Sequence, residues 1–126
     1  MTLPMMSDPE IRAAGVISVM SNLIPGAITR MVKAQREGDG ETAGKISHAA
    51  GPLFRMVGCT ATSRRTLPDG RVIDVADKFR NPTPIKTMMR GLGMTAGPPR
   101  PPLGGMTAPG VALVREALRA VHAGDP

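Results

Sequence analysis

The chain has 126 residues, 41% of them hydrophobic, a length and content that suit one domain with a packed core. Aromatic residues make up only 2%, with no Trp and no Tyr, so the core must come from Met, Leu, Ile, Val and Ala, and the ten Met supply adaptable filling. Sixteen Lys and Arg against ten Asp and Glu leave a net charge of +6, but without aromatics among the cations to stack on bases no nucleic-acid partner is expected.

The cations are also scattered: Arg30, Lys33 and Arg36 share one helix flank, Arg64 and Arg65 sit near a turn, and Arg115 and Arg119 lie on another helix. Cys59 is the single cysteine, which excludes an internal disulfide and suits a reducing, cytoplasmic setting. No apolar run approaches the roughly 18 residues of a membrane span, and the opening "MTLPMMSDPE" lacks the basic-then-apolar order of a signal peptide, so no membrane partner is expected.

In chain order, the first periodic segment is "GVISVMSN" (15–22). Val16, Ile17 and Val19 are β-branched and the run is short and nearly continuous, the pattern of one buried strand of a parallel sheet. Pro25 then opens a helix over 25–37 with Ile24, Ile28, Met31 and Val32 on one face, and Gly38 ends it. From Asp39, an N-cap, a second apolar stripe runs through Ala43, Ile46, Ala50, Leu53 and Phe54, bent or broken at Gly51 and Pro52.

The period changes in 59–77, "CTATSRRTLPDGRVIDVAD", where Thr60, Thr62, Thr66, Val72, Ile73 and Val75 flank the turn Pro68-Asp69-Gly70; a small hairpin is expected. In "RNPTPIKTMMRGLGM" (80–94), Thr83 is placed to cap a helix that has Pro84 at its first position and Ile85, Met88, Met89 and Leu92 in one stripe. The double proline stiffens the entry to that helix. "GPPRPPLGG" (97–105) must be extended or polyproline-like, read as a stiff connector packed against the domain, with a PxxP-type ligand for an SH3-like module as the competing reading. Thr107 then caps a last helix with Pro109 early in it and Val111, Val114, Leu118 and Val121 on one face. The expected fold is mainly α with one strand and a small hairpin.

A lone parallel strand leaves its backbone groups unsatisfied unless another segment covers them. "GVISVMSNLIP", the helix ending "REGD", "NPTPIKTMMRGLGM" and "RPPLGGMT" together resemble the C-terminal portion of the dihydrodipicolinate synthase family, over roughly Thr2 to Val121 and in the right order. The resemblance implies a C-terminal fragment of a (β/α)8 TIM barrel plus its C-terminal helical extension. On this alignment 1–38 is the end of the barrel, with the last strand at 15–20 and the last helix at 25–37. The range 39–126 is the helical extension, with a hairpin-like insert at 59–77. "TLPMM" resembles the start of the penultimate barrel helix, so the chain is expected to begin within the barrel. "SDPEIR" (7–12) and the hairpin depart from the family pattern.

The resemblance further implies a lyase that condenses pyruvate with L-aspartate semialdehyde in lysine (diaminopimelate) biosynthesis, through a Schiff base on a barrel lysine. It implies assembly as a homo-oligomer and no cofactor. Such chemistry needs a lysine of depressed pKa in an apolar pocket and a Tyr and Thr hydroxyl relay. The chain has no Tyr, and Lys33, Lys45, Lys78 and Lys86 fall on predicted helices and a loop, so no catalytic residue is assigned.

Ser18, Ser21 and Asn22, at or just past the end of the expected strand, are the candidate substrate-lining residues, because barrels build their sites from strand C-termini. Ordinary strand-end hydrogen bonding or capping is the competing reading of the same three. His48, Cys59 and His122 lack the spacing of a metal site or a nucleophile-base pair, so no metal is expected. "GLGMTAG" does not follow a strand and does not fit a dinucleotide fingerprint. Two function classes stand: a segment of such a lyase, inactive alone, or a non-enzymatic helical interaction module that binds a protein through Met-rich faces.

Overall fold

The computed structural model describes residues 2–123. Met1 and residues 124–126, which belong to the two expected ranges 1–38 and 39–126, lie outside the described residues. A short helix α1 (Thr2–Ser7) leads into a segment without regular structure, followed by a 3-10 turn at Val19–Asn22. Helix α2 spans Pro25–Arg36 and buries Ile28, Met31 and Ala34, the face that the apolar spacing assigns to the core. Its end is fixed by Gly38, whose φ of 83° lies in the left-handed region that glycine enters without penalty.

Asp39 caps α3 (Gly40–Ala49), accepting from the Thr42 amide at 3.0 Å. The stripe predicted to continue through Gly51 and Pro52 is interrupted there, and Gly51–Arg55 forms a separate short helix α4. Pro52 lacks an N–H and tolerates only a first helical turn, so Ala50 ends one helix and starts the next.

Strands β1 (Gly58–Thr66) and β2 (Val72–Arg80) pair antiparallel from Gly58↔Arg80 to Thr66↔Val72. The turn forms at Pro68-Asp69-Gly70 as its residue types require. The Leu67 amide donates to the Arg71 carbonyl at 2.8 Å, the Gly70 amide donates to the Leu67 carbonyl at 2.9 Å, and Gly70 has φ 83°. The ladder extends past both ends of the expected 59–77 range. Helix α5 (Thr83–Gly91) buries Pro84, Ile85 and Met88, and α6 (Ala108–Ala123) buries Gly110, Val114 and Ala117. The proline-rich 95–107 stretch between them has no helix or strand, as expected.

Met20, Met31 and Met88 are fully excluded from solvent and, with Leu53, Ile28, Ile85 and Val114, make the centre of one aliphatic core. α2 packs on α3, while α6 lies against β1, α4 and α5. Unbranched thioethers fill the irregular junctions of these short elements where aromatic side chains are lacking.

Four local expectations need correction. Residues 15–20 are not a strand. Among the described residues the sheet holds β1 and β2 alone, so 15–20 has no neighbour to bond. Ser18 is extended, with φ −101° and ψ 132°, but its hydroxyl accepts from the Met20 amide at 3.2 Å and starts the 3-10 turn that drives Met20 into the core. Thr83 does not cap α5: Pro82 occupies that position, and Thr83 is the first helical residue, its carbonyl accepting from the Thr87 hydroxyl at 2.8 Å. Leu92 follows the last turn of α5 and is half exposed instead of completing its stripe. Thr107 precedes α6 and its carbonyl accepts from the Val111 amide at 2.9 Å, yet its hydroxyl is buried without a partner, so no side-chain cap forms.

Candidate functional site

A cleft with a volume of about 640 Å³ runs between the irregular 14–16 segment and α2. Gly15, Val16, Ser21, Thr29, Val32 and Lys33 line it. Ser21 offers its hydroxyl there and is exposed. The other two candidates are engaged locally: the Ser18 hydroxyl holds the Met20 amide, and Asn22 Nδ2 donates to the Val19 carbonyl at 2.9 Å. The structure thus places all three on one 3-10 turn and brings only Ser21 into the cleft.

Two cations line the cleft, Arg36 and Lys33, and Lys33 Nζ lies 3.9 Å from Glu37 Oε1 across one helical turn. Both side chains are largely exposed, so this pair adds little to stability and leaves the amine solvated. Lys45 and Lys78 are exposed too, and the half-buried Lys86 donates from Nζ to the Pro98 carbonyl at 3.1 Å, tying α5 to the connector. None of the four lysines is fully buried.

Burial pushes the thiol of Cys59 on β1 above its ordinary value, which disfavours the thiolate. His48 and His122 are exposed on α3 and α6. Among the described residues no group of three or more His, Cys, Asp or Glu is arranged to hold a metal ion.

One polar cluster escapes the sequence reading. Asp77 on β2, its side chain only 10% exposed, accepts from the buried Ser63 hydroxyl and from the Arg65 guanidinium, both on β1. Cross-strand register alone brings them together: Ser63 faces Val75 and Arg65 faces Ile73, so Asp77 is diagonal to Ser63. Alternation counted outward from the Pro68-Asp69-Gly70 turn is the signal that reveals it. With both carboxylate oxygens engaged, the cluster fastens the hairpin.

The described residues therefore define a helical domain that carries one antiparallel hairpin and an open polar cleft, without an assembled nucleophile, base or metal centre. The chain belongs to the dihydrodipicolinate synthetase family, whose model matches residues 2–121. It is 35% identical over 119 residues to the 4-hydroxy-tetrahydrodipicolinate synthase of Methanococcoides burtonii, covering 94% of this chain and 33% of the relative. The proteins of the same description from Methanothrix thermoacetophila and Endomicrobium trichonymphae are each 33% identical, over 118 and 119 residues, with 94% of this chain covered and 32% and 33% of the relatives. The chain spans about a third of the length of the curated relatives it matches. No solved structure matches it. Among the described residues no helix is long and apolar enough to cross a membrane.

Proposed function

We propose that this chain supplies the C-terminal third of a Schiff-base lyase that condenses pyruvate with L-aspartate semialdehyde in lysine (diaminopimelate) biosynthesis. In this reading 1–38 ends a (β/α)8 barrel, 39–126 is the helical extension, and 15–20 becomes the eighth strand once barrel neighbours flank it. The imine-forming lysine and the hydroxyl relay belong to the remainder of the barrel, so this chain alone is inactive. Ser18, Ser21 and Asn22 line the substrate side of the completed site, and the complete enzyme is a cytoplasmic homo-oligomer.

The observation that carries the reading is the family match across 2–121 in a chain that spans a third of its relatives. Two features agree with it. Ile17 is fully exposed in the segment that a barrel would bury, and all four lysines lie on helices or the hairpin, none of them fully buried. The interaction-module reading draws less support, because three of the methionines it needs on the surface are wholly buried in the core.

The test is a chimera in which this chain replaces the corresponding C-terminal third of the Methanococcoides burtonii protein. Treated with pyruvate and borohydride, the chimera is expected to gain one pyruvyl adduct by mass, and it should rescue a diaminopimelate auxotroph; the isolated chain should gain none. An adduct on the isolated chain, or a soluble folded chimera that gains none while the parent does, refutes the proposal.

A further inference from the structure

We propose that the outer edge of β2 is a self-pairing surface, through which two copies of this chain join their hairpins into one four-stranded antiparallel sheet about a two-fold axis at Ala76. The Leu67–Arg71 bond fixes which backbone groups point outward. Hydrogen-bonded pairs alternate along an antiparallel ladder, so the inward-bonded partners are 65/73, 63/75, 61/77 and 59/79. The amides and carbonyls of Val72, Asp74, Ala76, Lys78 and Arg80 therefore face away from β1. Among the described residues, no backbone hydrogen bond outside the hairpin reaches them, and all five residues are exposed. A two-stranded hairpin gains stability from added strands.

Charge selects the occupant. When β2 meets a second β2 antiparallel with Ala76 opposite Ala76, Asp74 stands opposite Lys78 of the other copy, and the two-fold axis repeats that pair. The same register sets Val72 against Arg80 and, on the other face, Ile73 against Phe79. A shift of two residues in total toward the C-terminus pairs Asp74 with Arg80 but sets Asp77 against its own copy, and the opposite shift leaves Asp74 facing Ala76. The outward edge of β1 carries Gly58, Thr60, Thr62, Arg64 and Thr66, with no carboxylate to match its cation. Charges on an edge strand usually discourage pairing; here their antisymmetry about Ala76 matches a second copy of the same edge, and the Ala76 register pairs Asp74 with Lys78 without setting Asp77 against itself. The competing Arg64–Asp74 contact, 3.5 Å long and exposed on both sides, yields easily.

The experiment is site-specific cross-linking of the full-length chain with Cys59→Ser as background. In an antiparallel hydrogen-bonded pair the Cα atoms are about 5.5 Å apart, within disulfide range. Ala76→Cys is expected to form a disulfide dimer at least tenfold faster than Thr62→Cys, which marks the middle of the β1 edge. Adding Lys78→Glu puts like charges opposite each other and should slow that cross-link about tenfold, while Asp74→Lys with Lys78→Glu should restore it. Equal rates at 76 and 62, as random aggregation gives, overturn the proposal. So does indifference to Lys78→Glu, failure of the swapped pair to recover, or a monomer by sedimentation at every concentration used. No outcome depends on lyase activity, so this test and that of the chimera fail independently.

Discussion

Gly110, in the first turns of α6, lies flat against the ring of Phe79. A Cβ there would stand 2.6 Å from Phe79 Cε2 and 3.2 Å from Cζ, with Met106 Cε at 3.1 Å. The Met106 methyl can swing aside, but Phe79 is anchored in β2 opposite Cys59, so the ring and the helix cannot separate without loosening the hairpin from α6. Helix propensity favours Ala over Gly by about 1 kcal/mol, whereas overpacking a close contact costs roughly 1–3 kcal/mol. Gly110→Ala is therefore expected to destabilise the protein by about 1 kcal/mol, read as a lower denaturant midpoint at unchanged slope, and Phe79→Leu added to it should recover part of the loss. A raised midpoint in the single variant would show that the ring relaxes freely.

At the scale of elements, helix α3 depends on the Asp39 carboxylate. Hydrogen bonds from Thr42, its hydroxyl first and its amide second, hold the Asp39 carboxyl below the ordinary aspartate range. Because the folded value is the lower one, the contribution is fully present above the unfolded value and is lost as pH falls through the folded one. Acidification below the usual aspartate range should thus fray α3 in the native chain, while Asp39→Asn, which caps without titrating, should remove that part of the acid transition. Identical acid titrations of the two by circular dichroism would count against the cap.

Why such elements were legible is physical. Gly38 with Asp39, Pro68-Asp69-Gly70, and the apolar stripes of α2 and α6 are local signals read by neighbouring backbone alone, and each produced the element it announces. Thr83 and Thr107 carry the right residue type for a cap, but Pro82 and the burial of the Thr107 hydroxyl override it. Residues 15–20 misled for a different reason: a parallel strand is a property of its neighbours, and β-branched residues without a partner strand remain extended chain. The candidate site was legible only as positions. Ser18, Ser21 and Asn22 do share one turn, yet the hydrogen bonds of Ser18 and Asn22 to Met20 and Val19 are three-dimensional facts that spacing does not announce.

For the molecule as a whole, Ile17 is where the two readings of function diverge energetically. In the isolated chain its side chain is fully exposed, while Val19, two residues on, is packed against the core cluster. An exposed side chain that touches nothing contributes within about ±0.5 kcal/mol of stability, so Ile17→Lys should leave the melting of the isolated chain unchanged and should reduce its tendency to self-associate. In a completed barrel, Ile17 would belong to the last strand and lose its solvent, and a lysine there would bury an unpaired charge at a cost of several kcal/mol. The same substitution in the chimera with the Methanococcoides burtonii protein is therefore expected to lower the melting temperature by many degrees or to prevent folding, with Val16→Lys serving as the neighbour on the opposite strand face. Val16→Lys is the calibrating case, since alternate residues of a strand face different layers and the two need not respond alike. Equal tolerance of Ile17→Lys by the isolated chain and by a folded, adduct-forming chimera would show that 15–20 stays outside the barrel even when its neighbours are supplied.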